Sequence, residues 1–155
     1  MKQKVTRASL LKIVGLGILI LGVVMQFLPL GYPRSNPPIL TDLAWSSQET
    51  RDLFFRACGD CHSNETVWPW YAHVAPGKWI ITGHVRHGRG TFNVSDWNEE
   101  RFGEEASEAS ETISDGSMPP ADYLRFHPNA RLSDSERNVL GAGLDEMDVF
   151  RPRPD

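Results

Sequence analysis

The sequence predicts an all-α protein with an N-terminal membrane helix and one small helical domain. The first observation is an uncharged apolar run over residues 13–30, which is just long enough to cross a bilayer as a helix. The second is a pair of capping boxes, at residues 46–49 and 133–136, each of which marks a helix start. The third is an apolar period over residues 102–113 that fits one helix face. No stretch alternates polar and apolar residues for the length of a strand, so no sheet is expected.

Residues 1–31 are interpreted as a single-pass membrane anchor. The basic residues of this segment precede the apolar run, at Lys2, Lys4, Arg7 and Lys12. The positive-inside bias therefore predicts a cytoplasmic N-terminus and a periplasmic, or otherwise extracytoplasmic, location for everything after Leu30. A cleaved signal peptide is the alternative, although no small-x-small cleavage pattern follows the apolar run.

A proline-rich linker, residues 32–44, separates the anchor from a domain over residues 45–150. Prolines without hydrophobic periodicity predict an extended, semi-rigid segment. The formal net charge is −4, and the part after the linker is more acidic still because the charges before Arg34 are all positive. A nucleic-acid partner is not expected, since phosphate binding needs a basic surface.

Four helices are predicted in the domain. They begin at the capping box of residues 46–49, at Pro76, after Trp97 and at the capping box of residues 133–136. The second helix should end near Gly88. The residues expected to face the core are Leu53, Phe54, Ala57, Phe102, Ala106, Ala109, Ile113, Leu140, Leu144 and Met147.

The chemistry of the chain is concentrated in Cys58-Gly59-Asp60-Cys61-His62, which contains both of its cysteines. The pattern C-x-x-C-H is the attachment signature of c-type haem. Two thiols on one side of a helical turn can form thioethers with the two vinyl groups of a porphyrin. The imidazole of His62 then serves as the proximal axial ligand of the iron. One covalently attached haem c per chain is therefore predicted.

Two other interpretations of this motif stay open. A dithiol redox pair would need a βαβ pattern around it, and none is visible. A zinc site completed by His84 and His87 would have an unusually short spacing between the histidines and no second cysteine pair. A zinc-binding domain is thus an alternative to a haem domain.

Met118 is the predicted distal axial ligand. It lies in the loop Asp115-Gly-Ser-Met-Pro-Pro120, and two prolines after the sulfur would stiffen that loop. A thioether is a soft ligand that favours ferrous iron. His84 and His87 are rival ligands, and a methionine that only fills space is the plain alternative. Arg86 and Arg89 are candidate partners of the haem propionates.

The chain resembles the haem-binding-domain family of small, exported, membrane-anchored c-type cytochromes. The resemblance rests on C-G-D-C-H-S-N-E-T-x-x-P-W-Y at 58–71 and W-I-I-T-G-H-V at 79–85. It extends through F-N-V-S-D-W at 92–97, M-P-P at 118–120 with Tyr123, and H-P-N-A-R-L-S at 127–133. The resemblance implies one covalent haem and a cytochrome-c-like helical fold. It also implies membrane association through the N-terminal segment. The Met-Pro pair at 118–119 is similar to the loop from which ordinary mono-haem cytochromes c present their methionine ligand.

These observations favour a mono-haem c-type cytochrome that transfers one electron at a time outside the cytoplasm. Its partners would be redox proteins of unspecified identity, the cytochrome c maturation machinery and the membrane. The alternative is a haem-based gas or redox sensor, or a haem enzyme with an open sixth position. No nucleophile–base constellation or second cofactor motif is present in the sequence, so an enzyme is not expected.

Overall fold

The computed structural model describes residues 6–151, and over this range it contains helices and no strand. The predicted all-α class is therefore confirmed. The α-helices are α1 (Arg7–Phe27), α2 (Gln48–Ala57), α3 (Gly59–His62), α4 (Gly77–Thr91), α5 (Glu99–Ser107), α6 (Ala109–Ser114), α7 (Ala121–Phe126) and α8 (Asp134–Asp145). Three 3₁₀ turns, Trp70–His73, Pro128–Ala130 and Asp148–Phe150, complete the secondary structure.

The apolar N-terminal segment forms one uninterrupted helix. Thr6 caps α1 by accepting a hydrogen bond from the Ser9 amide at 3.2 Å. At about 1.5 Å per residue, 21 residues span roughly 32 Å, which is the thickness of the hydrocarbon core. No residue of α1 is buried, so the helix is long and apolar enough to cross a membrane, as a signal sequence would also be. Of its predicted basic flank, Lys2 and Lys4 lie outside the described residues.

The described chain forms two compact units. The first consists of residues 6–33 and 69–83, and the second of residues 34–68 and 84–151. The helix α4 contributes its first half to one unit and its second half to the other.

The core of the second unit is built from α2, α5, α6 and α8. All ten residues predicted to face the core are buried, and Phe54, Leu140 and Leu144 are completely inaccessible to solvent. The predicted third helix is divided in two at Glu108, between α5 and α6. The four apolar residues of its period are nevertheless all buried in the same core.

One predicted capping box is correct and the other is displaced by one residue. Ser133 and Glu136 exchange both capping hydrogen bonds at the start of α8. At the start of α2 the cap is Ser47, whose hydroxyl accepts from the Thr50 amide at 3.0 Å, and not Ser46 as predicted. Ser46 instead donates its hydroxyl to the side chain of Thr50 at 3.1 Å.

The proline-rich segment has no helix or strand, and its later part is hydrogen-bonded to other residues of the second unit. The Leu40 amide donates to the Ser95 carbonyl at 2.7 Å, and the Thr41 hydroxyl donates to the Val94 carbonyl at 3.1 Å. The side-chain amide of Asn64 donates to the Pro38 carbonyl at 2.9 Å. These bonds make residues 38–41 part of the surface of the unit that contains the cysteines.

Candidate functional site

The Cys58–His62 motif forms the single-turn helix α3 directly after α2. The helix α2 ends at Ala57 with Cys58 as its C-cap, and the carbonyl of Cys58 accepts hydrogen bonds from the amides of Cys61 and His62 at 3.0 and 2.9 Å. This turn puts Cys58, Cys61 and His62 on the wall of one cavity. Neither cysteine is in a disulfide.

His62 is oriented by the residue that it stacks on. Its Nδ1 lies 3.2 Å from the carbonyl oxygen of Phe92, and its ring stacks on the Phe92 ring with 4.1 Å between centroids. A carbonyl oxygen can accept a hydrogen bond but cannot donate one. Nδ1 therefore carries the proton of the neutral ring, and Nε2 keeps its lone pair. Metal-binding histidines are commonly oriented through the second ring nitrogen in this way. Burial lowers the pKa of His62 to about 4, so the imidazole is neutral at physiological pH.

The two thiols are held in the protonated form. Loss of surrounding water raises the pKa of both Cys58 and Cys61 to about 12. For Cys61 the nearby carboxylate of Asp60 acts in the same direction. Dithiol redox centres depend on a thiol whose pKa is lowered, so these surroundings do not support the dithiol interpretation.

The cavity beside the motif has a volume of about 290 Å³, close to the lower end of the range for small-molecule pockets. Most of its wall is apolar, and it opens to solvent at one side. The lining residues that carry the site are Cys58, Cys61, His62, His84, His87, Met118 and Tyr123, with Phe54, Ala109, Ile113 and Leu144 among the apolar ones. The predicted proximal and distal ligands therefore border the same space.

A family model for the haem-binding domain matches residues 20–146 of the chain. The chain belongs to this haem-binding family. No curated protein and no solved structure matches it significantly.

The residues of the site fit a haem. An apolar cavity suits the porphyrin, two thiols lie on its wall, and an imidazole with a free Nε2 is available to the iron. The residues that the motif predicts as donors therefore lie on the wall of this cavity.

The backbone around Met118 is fixed on both sides of the residue. Its amide donates to the Thr112 carbonyl of α6 at 2.9 Å. Its carbonyl accepts from the Arg137 guanidinium of α8 at 3.2 Å, and the same nitrogen donates to the Ile113 carbonyl at 2.6 Å. The neighbouring Pro119 is buried. Two helices thus hold the loop that carries the thioether.

The two histidines of α4 also border the cavity, but they differ in exposure. His84 is half-buried and its Nε2 lies 3.4 Å from the Asp122 carboxylate, whereas His87 is exposed. Over residues 6–151, no three histidine, cysteine or carboxylate side chains are arranged to hold a metal ion among themselves. The geometry therefore does not assemble the zinc site considered from the sequence.

A hydrogen bond that sequence reasoning missed joins the motif to the segment after Met118. The Tyr123 hydroxyl donates to the Asp60 carboxylate at 2.8 Å, and the second oxygen of that carboxylate accepts from the Val67 amide at 2.7 Å. The Tyr123 ring stacks on His127 with 4.1 Å between centroids. In the sequence, Tyr123 drew attention only through the family resemblance.

Arg89 has a different role from the one considered for it. Its guanidinium donates to the carbonyls of Ser63 and Ser35 at 2.8 and 2.9 Å. It also donates to the side chains of Asn36 and Thr66 at 3.2 and 2.9 Å. Four of its five N–H groups are thus used within the protein, so Arg89 fastens the chain after the motif, and only one N–H remains for a propionate. Arg86 is exposed.

Gly88 allows α4 to approach the attachment turn. A β-carbon at this position would lie 2.5 Å from the Cys61 carbonyl oxygen and 2.8 Å from the Cys61 β-carbon. Both distances are shorter than side chains tolerate, so only glycine permits this contact. From the sequence, Gly88 was expected only to mark the end of the helix, but α4 continues to Thr91.

Proposed function

We propose that this haem-binding protein is a membrane-anchored mono-haem c-type cytochrome that transfers single electrons outside the cytoplasm. The observation that carries the proposal is the shared cavity of Cys58, Cys61, His62 and Met118. It supplies two attachment points and two axial ligands of different chemical character.

Each of these residues has one role in the proposal. Cys58 and Cys61 would hold the haem through thioethers, and His62, through Nε2, and Met118, through its sulfur, would bind the iron. When bound, haem iron supplies a one-electron couple between its ferrous and ferric states.

The surroundings of the ligands support a carrier. The Phe92 carbonyl fixes the orientation of His62, and α6 and α8 fix the backbone of Met118. Ligand residues that are held in place would move little between oxidation states, and this suits rapid electron transfer. With His62 and Met118 both bound to the iron, no position would be open for gas binding or catalysis, so we assign no enzymatic reaction.

The anchor part of the proposal rests on α1. It has the length and composition of a membrane span, and the basic residues before it favour a cytoplasmic N-terminus. The haem domain would then lie on the periplasmic side, where covalent haem attachment takes place in bacteria.

Covalent attachment is tested by expressing the full chain in cells with the haem-attachment machinery. We expect haem that stays on the polypeptide in denaturing gels and a c-type pyridine haemochrome spectrum. The Cys58→Ala/Cys61→Ala variant should lose the stained band, whereas a Ser117→Ala variant should retain it. Zinc recovered in stoichiometric amount from a chain without haem would contradict the proposal.

A further inference from the structure

Within the first unit, the C-terminal end of α1 is hydrogen-bonded to the segment that leads into α4. The Gln26 side-chain oxygen accepts from the Ala75 amide at 3.0 Å, and the Lys78 ammonium donates to the Gln26 carbonyl at 2.8 Å. A few residues later, the Tyr32 amide donates to the Thr82 hydroxyl at 3.2 Å. The end of the apolar helix and residues 75–82 are therefore held together.

This contact determines where residues 70–80 lie once α1 is in a bilayer. The length of α1 matches the hydrocarbon thickness, so its last residues, including Gln26, lie at the level of the lipid headgroups. A segment bonded to Gln26 must lie at the same level. This step rests on the proposed membrane anchor.

The exposed side chains of the segment have the composition of a membrane interface. Trp70, Val74 and Ile80 are 77%, 45% and 56% exposed, and together we call them the apolar surface. Residues 70–80 contain no Asp, Glu or Arg and one lysine, Lys78. Its ammonium lies 5.7 Å from the centre of the Trp79 ring. Tryptophan and snorkelling lysine are the residues that membrane proteins place among lipid headgroups.

We propose that the apolar surface of Trp70, Val74 and Ile80 inserts into the headgroup region of the bilayer beside the end of α1. It would give the protein a second lipid contact in addition to the anchor. A protein partner could also cover apolar side chains, but the bonds to Gln26 hold this surface at the level where lipid, not solvent, surrounds the helix.

The test uses the full-length holoprotein in phosphatidylcholine vesicles that contain one of two photoactivatable lipids. One carries the reactive group near the glycerol backbone, and the other carries it at the end of the acyl chain. Cross-linked residues are identified by mass spectrometry. We expect the lipid with its reactive group at the end of the acyl chain, the deep probe, to label α1 alone. The lipid with its reactive group near the glycerol backbone, the shallow probe, should label residues 70–80 as well as the ends of α1.

Two variants sharpen the experiment. In the triple variant Trp70→Ser/Val74→Ser/Ile80→Ser, labelling of residues 70–80 by the shallow probe should fall several-fold. The labelling of α1 and the haem spectrum should not change. Phe126→Ser removes a side chain that is 67% exposed and should leave the labelling of residues 70–80 unaltered.

The outcomes separate this inference from the proposed function. If α1 is labelled but residues 70–80 react with the shallow probe no more than the peptide that contains Phe126, the membrane-facing surface is overturned and the anchor stands. If the deep probe does not label α1, the anchor is overturned and the surface falls with it.

Discussion

At the scale of single residues, Met118 decides between a carrier and an open-site protein. With sulfur on the iron, both oxidation states should be low-spin, and the reduced protein should bind carbon monoxide slowly. Met118→Ala should make the iron high-spin and carbon monoxide binding fast. It should also lower the reduction potential by part of the roughly 0.8 V range over which axial ligands tune haem iron. Absorption spectra and potentiometric titration measure these changes.

Two further variants identify the ligand if Met118 is not bound to iron. Met118→His should restore a low-spin spectrum at low potential. If Met118→Ala changes nothing while His84→Ala or His87→Ala does, the iron has two histidine ligands and electron transfer still stands. A wild-type protein that is already high-spin would instead favour sensing or catalysis.

Gly88 gives a second prediction at this scale. Gly88→Ala puts a methyl group against the Cys61 backbone, and overpacking of this kind costs about 1–3 kcal/mol. We expect a lower free energy of unfolding and a reduced yield of holoprotein, measured by denaturant titration and haem stain. Gly90→Ala is the matched control, because a β-carbon there meets nothing within 4 Å. Equal yields from the two variants would show that α4 can move away from the motif without consequence.

At the scale of helices, Glu136 connects α8 to α2. Its carboxylate accepts from the Ser133 amide at 2.8 Å and pairs with Arg56 at 2.7 Å. The hydrogen bond from the Ser133 amide has the largest effect on Glu136 and the bond to Arg56 the next largest, and they lower its pKa to about 2. Because the pKa is lower in the folded state, the stabilisation is complete above the unfolded value near 4.5 and is lost as the pH falls towards 2.

The pH dependence of a single variant tests this connection. At neutral pH, Glu136→Gln should have a lower melting temperature than the wild type, and the difference should shrink as the pH falls from 4.5 towards 2. Glu104→Gln, an exposed change on α5, should not alter the melting temperature measurably. A difference that stays constant down to pH 2.5 would contradict the assigned role of the carboxylate.

Helix positions were predictable because they depend on local patterns. The capping pair Ser133 and Glu136 lies within one turn, and the apolar period from Phe102 to Ile113 marks its own buried face. The sequence did not indicate that Ser47, rather than Ser46, caps α2, since the hydroxyl of either serine can accept a hydrogen bond from a free amide at the start of the helix. It also did not reveal the break at Glu108, which leaves the apolar period intact.

The support of the site could not be predicted in the same way. Asp60 and Tyr123 are 63 residues apart in the chain, and no periodic pattern relates them. The partners of Arg89 lie on two segments that are far apart in the chain, residues 35–36 and 63–66, so its charge alone suggested a propionate. The predicted chemistry of the motif, in contrast, depends on five consecutive residues, and Met118 was singled out from a short loop beside two prolines; both border the same cavity, and their binding to iron stays a prediction.

At the scale of the whole molecule, the proposed anchor would give the protein its location. The native protein should stay in the membrane fraction after carbonate washing, because α1 is held by lipid and not by charge. Mass analysis should find an intact N-terminus, and protease added outside the cytoplasmic membrane should digest the haem domain. A mature N-terminus beyond Leu30 would identify the segment as a signal peptide.

The Cys61 contact with Gly88 also sets an order of events during biogenesis. In a chain that leaves the cytoplasm from its N-terminal side, residues 58–62 emerge before Gly88, Met118 and Tyr123. If the domain is exported as proposed, the thiols would reach the outside before the helices that later enclose them. The proposed haem attachment would have its easiest access in this interval, because each segment that emerges afterwards would close another part of the route to the sulfur atoms.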